Sequence, residues 1–176
     1  MPFRLGAVLT SSLLVMTGCS GDEPRRPPAV DPEIRDGLAH LYAGDDAVVA
    51  GEDEGRCFAD ELLATMSVEE LREAGLVDES GEVPGVMPQL EPAFAEVFVD
   101  AQLACTDLVE DSTEAQYTLS KGALDRTAYA ACLTDALDEQ QQRAALVAAV
   151  SGSWEDPALA AFSEAQARCA RESGAG

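Results

Sequence analysis

Residues 98–105 have the sequence FVDAQLAC, and residues 162–169 have the sequence FSEAQARC. The two stretches share the frame F-x-acid-A-Q-x-x-C. Residues 57–62 (CFADEL) and residues 132–137 (CLTDAL) likewise share the frame C-x-x-D-x-L. The two frames alternate in the same order along the chain, which indicates a duplicated unit that begins near one cysteine and ends near another. The alternative is a chance similarity within a chain rich in alanine and acidic residues.

The frames contain four of the five cysteines, Cys57, Cys105, Cys132 and Cys169. An even number of cysteines is typical of a disulfide framework in an exported chain, and four cysteines allow three pairings. The duplication favours Cys57 with Cys105 and Cys132 with Cys169, so that each bond links the first and last helices of its unit. A four-cysteine metal site and a redox pair are the alternatives, although no C-x-x-C spacing occurs.

Helix-start signals occur in both halves, and no segment shows the alternation of a strand. Asp-Pro pairs at residues 31 and 156 place an N-cap before a first-turn proline. The capping-box spacing at residues 67 and 138 starts two further helices. The sequence therefore predicts an all-α fold for residues 31–176, made of two related disulfide-linked helical units at about residues 31–110 and 111–172.

One helix of this plan is expected to be long. Its apolar face follows the i, i+3, i+4 spacing without a break, and the next helix is expected to start at Asp111 or Ser112 and to end at Gly122. The residues on the apolar face are Phe94, Phe98, Ala101, Cys105 and Leu108.

The N-terminus carries an export signal. Arg4 precedes an apolar run at residues 5–16, which is shorter than the roughly 20 residues needed to span a bilayer. Thr17, Gly18 and Cys19 follow, and the chain then becomes polar.

The segment VMTGC that ends at Cys19 resembles the lipobox of bacterial lipoproteins. The resemblance implies that residues 1–18 are a signal peptide and that Cys19 is acylated and becomes the mature N-terminus. Residues 19–30 then form a flexible, proline-rich linker. Ordinary signal cleavage, which would leave Cys19 free, and an uncleaved anchor are the alternatives.

Charge limits the partners of the chain. With 33 acidic and 11 basic side chains, its net charge is −22, which disfavours direct binding of nucleic acid. A lipid on Cys19 is therefore expected to hold the protein at the membrane, and an envelope protein is the other expected partner. The preference for arginine over lysine and the alanine content are similar to those of small secreted lipoproteins of GC-rich bacteria.

Motifs for catalysis and for cofactor binding are largely missing. The chain has a single histidine, His40, and it has no H-E-x-x-H, G-x-S-x-G, Walker or dinucleotide-binding pattern. No cofactor is expected. Weak candidates for binding a divalent cation lie in an acidic segment that lacks EF-hand spacing and is more simply a solvated loop. They are Asp45, Asp46, Glu52, Asp53 and Glu54.

Three functional classes follow from these observations. The first is a lipid-anchored, extracytoplasmic interaction or structural module at the outer face of the cell membrane. The second is a ligand- or lipid-binding module with a cavity between the two units. The third is an envelope enzyme, which requires carboxylates with shifted pKa values that converge in a cleft. The lone tryptophan, Trp154, is expected to pack over an edge of the domain.

Overall fold

The computed structural model describes residues 31–44 and 51–174 and shows an all-α fold in them, as predicted. The signal residues 1–18 and the linker at residues 19–30, with Cys19, lie outside the described residues. The helices are α1 (Pro32–Ala43), α2 (Glu52–Thr65), α3 (Val68–Glu73), α4 (Pro92–Cys105), α5 (Leu108–Leu119), α6 (Arg126–Ala136), α7 (Glu139–Val150) and α8 (Pro157–Glu172).

Side-chain caps begin the helices at the predicted places. Asp31 accepts from the amide of Glu33 at the start of α1, and Asp156 accepts from the amide of Ala158 at the start of α8. Ser67 opens α3 with a reciprocal capping box, and Asp138 opens α7 in the same way. These aspartates and the serine satisfy amides that would otherwise lack an intrahelical partner.

The prediction of one helix whose apolar face continues to Leu108 is wrong, because α4 ends at Cys105 and α5 begins at Leu108. We call Thr106 and Asp107, which lie between these helices, the break. Thr106 adopts an extended conformation with φ −135° and ψ 154°. Asp107 then caps α5 by accepting from the amides of Val109 and Glu110, so the predicted cap at Asp111 or Ser112 is also wrong. The apolar spacing continues across the break, and periodicity alone therefore does not reveal it.

Two disulfides, Cys57–Cys105 and Cys132–Cys169, confirm the predicted pairing. The first links α2 to α4 with a Cα–Cα distance of 5.8 Å, and the second links α6 to α8 with a distance of 5.6 Å. We call α1–α4 the first unit and α5–α8 the second unit. In each unit the disulfide joins the second helix to the fourth, so the expectation that it would link the first helix to the last is wrong.

Each unit has its own apolar core. In the first unit Phe58 is fully buried, stacks on Tyr42 at 4.4 Å and meets the edge of Phe98 at 4.7 Å, measured between ring centroids. The second core is smaller and contains Tyr129 and Leu133, both fully buried.

The connection between α3 and α4 (residues 74–91) lies across both units. At one end Val83 packs against Gly37 of α1, where a Cβ atom would lie 2.8 Å from the valine side chain. At the other end the amide of Leu90 donates to the carbonyl of Val150 at 3.0 Å, at the end of α7. The α3–α4 connection therefore ties the first helix of the first unit to the second unit.

Candidate functional site

A groove of about 990 Å³ lies where the two units meet, beside the break between α4 and α5. Its lining consists of Glu54 of α2, the break residues, and residues of α5, α6 and the first turns of α7. Threonines provide much of its remaining polar surface. Six carboxylates lie in its walls: Glu54, Asp107, Glu110, Asp111, Glu114 and Glu139.

The charges of the groove are strongly unbalanced. Of the described residues in its lining, Arg126 alone is basic, and it pairs with Glu114 at 2.8 Å. The same guanidinium lies over the ring of Tyr117, 3.8 Å from the centroid, in a cation–π contact. The other five carboxylates therefore share the groove with one cation that is already paired.

Asp111 shows the consequence of this crowding. Burial raises the pKa of its carboxyl, and the neighbouring carboxylates of Glu54, Asp107 and Glu110 raise it further. Asp111 belongs to the second unit and Glu54 to the first, so the repulsion acts between the units. Carboxylates with raised pKa values in a cleft are one signature of functional sites, and sequence patterns did not indicate this one.

The glutamines that the sequence frames match across the units have related roles. Burial raises the pKa of the Tyr42 phenol of α1, and the side chains of Thr106 and of Gln102 in α4 oppose that rise only in part. Gln166 of α8 donates to the Ser112 hydroxyl of α5 at 2.5 Å. Each glutamine thus contacts a polar group on the first helix of its unit, which agrees with a structural role.

The matched aspartates differ between the units. Asp60 of α2 accepts a bidentate pair from Arg35 of α1, with both N–O distances 2.5 Å, and this partner lowers the pKa of its carboxyl. Its counterpart, Asp135 of α6, is exposed.

Only three of the five weak candidates for cation binding lie among the described residues. Asp45 and Asp46 lie outside the described residues. Glu52 and Asp53 pair with Arg56 in the first turns of α2, and Glu54 accepts from the amide of Gly51. These three residues thus belong to a helix start and not to a loop. In the described part of the chain no three acidic, histidine or cysteine side chains are grouped as a metal site requires.

The prediction that Trp154 packs over a domain edge is wrong, since 73% of the residue is exposed. It lies in the turn between α7 and α8, whose backbone is fixed on both sides. The amide of Ser153 donates to the carbonyl of Ala148 at 2.8 Å, and the amide of Asp156 donates to the carbonyl of Ser153 at 2.9 Å. The tryptophan is therefore held outward by an ordered turn.

His40 is exposed on α1 and is not among the residues that line the groove.

Comparisons of the chain with protein families, with characterised proteins and with solved structures found no match. Among residues 31–44 and 51–174, no helix has the length and apolar character needed to cross a bilayer.

Proposed function

We propose that this chain is a lipoprotein whose helical domain is tethered by a lipid on Cys19 at the outer face of the cell membrane, where it acts as an interaction module. The observation that carries the location is the pair of disulfides, one in each unit. Such bonds persist in oxidising, extracytoplasmic compartments and are rare in the cytosol. The lipobox-like segment supports the same location.

Labelling with a fatty-acid analogue tests the anchor. The full chain is expressed in a bacterial host that processes lipoproteins, beside a Cys19→Ala variant. We expect label in the wild type and none in the variant, because the thiol of Cys19 is the expected acylation site. Equal labelling of the two would rule out the lipid anchor, and a membrane-bound variant would point to an uncleaved signal segment.

The interaction role is supported by the exposed Trp154. A large apolar side chain held outward by an ordered turn fits a protein contact, since tryptophan is enriched among the residues that dominate interface energies. The partner we propose is a second envelope protein with an apolar pocket for the indole.

Site-specific photo-crosslinking in intact cells tests this contact. A photoreactive residue replaces Trp154 in one variant and Leu119 in a control variant, because Leu119 is equally exposed, at 74%, and lies at the end of α5 instead of in the α7–α8 turn. We expect a discrete crosslinked band from position 154 that is absent from position 119. The same bands from both positions, or none from position 154, would contradict the proposal.

A ligand-binding role for the groove is the second candidate. Its volume of about 990 Å³ is within the range of small-molecule sites, and the raised pKa of Asp111 marks it as chemically unusual. The carboxylates in its walls favour a polar ligand over a lipid. A library of polar small molecules screened by melting temperature tests this role, and a hit whose shift is lost in Asp111→Asn would favour it over the interaction module.

A further inference from the structure

The two units meet along α4 and α7, and both disulfides of the described residues lie within a unit instead of across this contact. We call the α4–α7 contact the seam. The chain passes from one unit to the other at Thr106 and Asp107, where the backbone is extended. Each unit thus has a disulfide between its second and fourth helices, whereas the seam is held by noncovalent contacts and by this single crossing.

The packing along the seam is limited. Val147 and Val150 of α7 are only partly buried against the core of the first unit. A surface hollow of about 370 Å³ lies beside them, between Pro92 and Glu96 of α4 and the side of α7. Noncovalent contacts between packed parts of one chain can permit relative motion.

A basic side chain ties the two helices of the seam. Arg143 of α7 donates to both carboxylate oxygens of Asp100 at 2.6 and 2.9 Å and lies 3.6 Å from Glu96. The side chains of Arg143 and Asp100 are 35% and 59% exposed, so the pair is solvated and contributes modestly.

The α3–α4 connection fastens the other end of the seam. Gln89 donates to the carbonyl of Ser151 at 2.8 Å, next to the bond from Leu90 to Val150. Gly152 makes room for this contact, because a Cβ atom there would lie 2.5 Å from Nε2 of Gln89. Leu90 and Gln89 therefore hold the C-terminal end of α7 against the first unit.

The groove lies at the opposite end of α7, beside the crossing at Thr106 and Asp107. There Glu54 of the first unit faces Asp111 of the second, and like charges on the two sides favour separation. The seam therefore combines repulsion at the crossing with attachment at Arg143 and at Leu90.

We infer that the molecule opens as two disulfide-linked units that turn about Thr106 and Asp107, and that Arg143 together with the α3–α4 connection holds them in the closed form. Such hinge motions between packed bodies use a few residues at the ends of elements. Opening exposes Val147 and Val150 and widens the groove.

Native-state amide exchange of the full chain, followed by NMR, tests the hinge. The amide of Leu90 reports the closed seam, and the buried helical amides of Phe58 and Leu133 report the two units. We expect Leu90 to exchange with less protection than Phe58 and Leu133, because the seam opens below the free energy of global unfolding.

The variant Arg143→Ala distinguishes opening of the seam from local unfolding of the α3–α4 connection alone. Arg143 contacts α4 and lies seven residues from Val150, about 10 Å along the helix, so it affects Leu90 only if α7 moves as a body. We expect up to about fivefold faster exchange at Leu90, with Phe58 and Leu133 unchanged, as the loss of a solvated ion pair implies.

Arg35→Ala, which removes a bidentate ion pair of similar exposure within the first unit, is the matched control and should leave Leu90 unaffected. The hinge is refuted if Leu90 exchanges together with the unit cores, if Arg143→Ala leaves its exchange unchanged, or if the control accelerates it equally.

Discussion

Asp111 is, among the described residues, the carboxyl whose pKa the fold raises. It lies in the first turn of α5, where a helix dipole favours a carboxylate. Burial and the three neighbouring carboxylates outweigh that attraction. The groove therefore keeps an arrangement of charges that reduces the stability of the domain at neutral pH.

We predict that Asp111→Asn raises the melting temperature at pH 7 by about 1–2 °C, since the effect on a partly exposed group is limited to about 0.5 kcal/mol. A pKa raised above the unfolded value of about 3.9 gives stability that is complete below that value and is lost as pH rises through the folded pKa. Asparagine resembles the protonated form at every pH. Calorimetry should therefore show the gain at pH 7 and no gain at pH 3.

Asp135→Asn is the matched control for this substitution, because Asp135 is exposed and does not line the groove. It should leave the melting temperature nearly unchanged at both pH values. A larger gain from the control than from Asp111→Asn would contradict the charge crowding described for the groove.

Phe58 and Leu133 occupy matched positions in the two units, and both are fully buried. We predict that Phe58→Ala lowers the free energy of unfolding by about 3–5 kcal/mol and Leu133→Ala by about 2–5 kcal/mol. Phe58→Ala should lower the free energy of unfolding more than Leu133→Ala does, because it also removes the ring contacts to Tyr42 and Phe98. Denaturant titration measures both values, and a loss below 1 kcal/mol at either position would contradict the core assignment.

Residue identity alone was a poor guide to exposure at Trp154. A lone tryptophan usually packs, and the short pattern around it signals only a turn before a helix. Its outward direction depends on the backbone hydrogen bonds of the turn between α7 and α8, which the pattern does not reveal. The raised pKa of Asp111 could not be predicted from the sequence either, because one of its causes is the carboxylate of Glu54, which is distant in sequence.

At the scale of elements, α1 and α2 approach closely where Gly55 faces the carbonyl of Ala39. A Cβ atom at position 55 would lie 2.7 Å from that backbone oxygen, which cannot turn aside as a side chain can. The first two helices therefore need a glycine at their contact.

We predict that Gly55→Ala lowers the free energy of unfolding by about 1–3 kcal/mol, because α1 must move away from α2. Gly85→Ala is the control, since a Cβ atom there meets nothing within 4 Å. It should change stability by no more than about 0.5 kcal/mol. Equal effects of the two variants in a denaturant titration would show that the helices do not restrict position 55.

Helix starts could be predicted from sequence because an N-cap depends only on residues that are close together in the chain. Ser67 and Asp138 show their pattern within four residues, and the structure shows the bonds that this pattern implies. The break at Thr106 could not be predicted from the apolar spacing, which continues across it. Asp107, followed three residues later by Glu110, is a cap-like pattern that the apolar spacing concealed.

At the scale of the whole molecule, the pairing of cysteines could be predicted because duplication selected one of three possibilities. The seam between α4 and α7 could not be predicted, because the sequence frames describe the inside of a unit and not how two units meet.

The two disulfides should contribute nearly equally to stability. Their sequence separations are 48 and 37, and the chain-entropy model gives about 4 kcal/mol for each. We predict that Cys57→Ala with Cys105→Ala, and Cys132→Ala with Cys169→Ala, lower the free energy of unfolding by amounts within about 1 kcal/mol of each other. Denaturant titrations compare the two double variants, and a loss confined to one of them would contradict the model.

The disulfide between Cys57 and Cys105 encloses the whole α3–α4 connection, including its exposed Val86. A protease that cuts the chain near Val86 therefore leaves both fragments joined through sulfur. In an oxidising compartment, a molecule nicked in this way would keep its entire mass and would split only on reduction, so it would outlast a first cleavage.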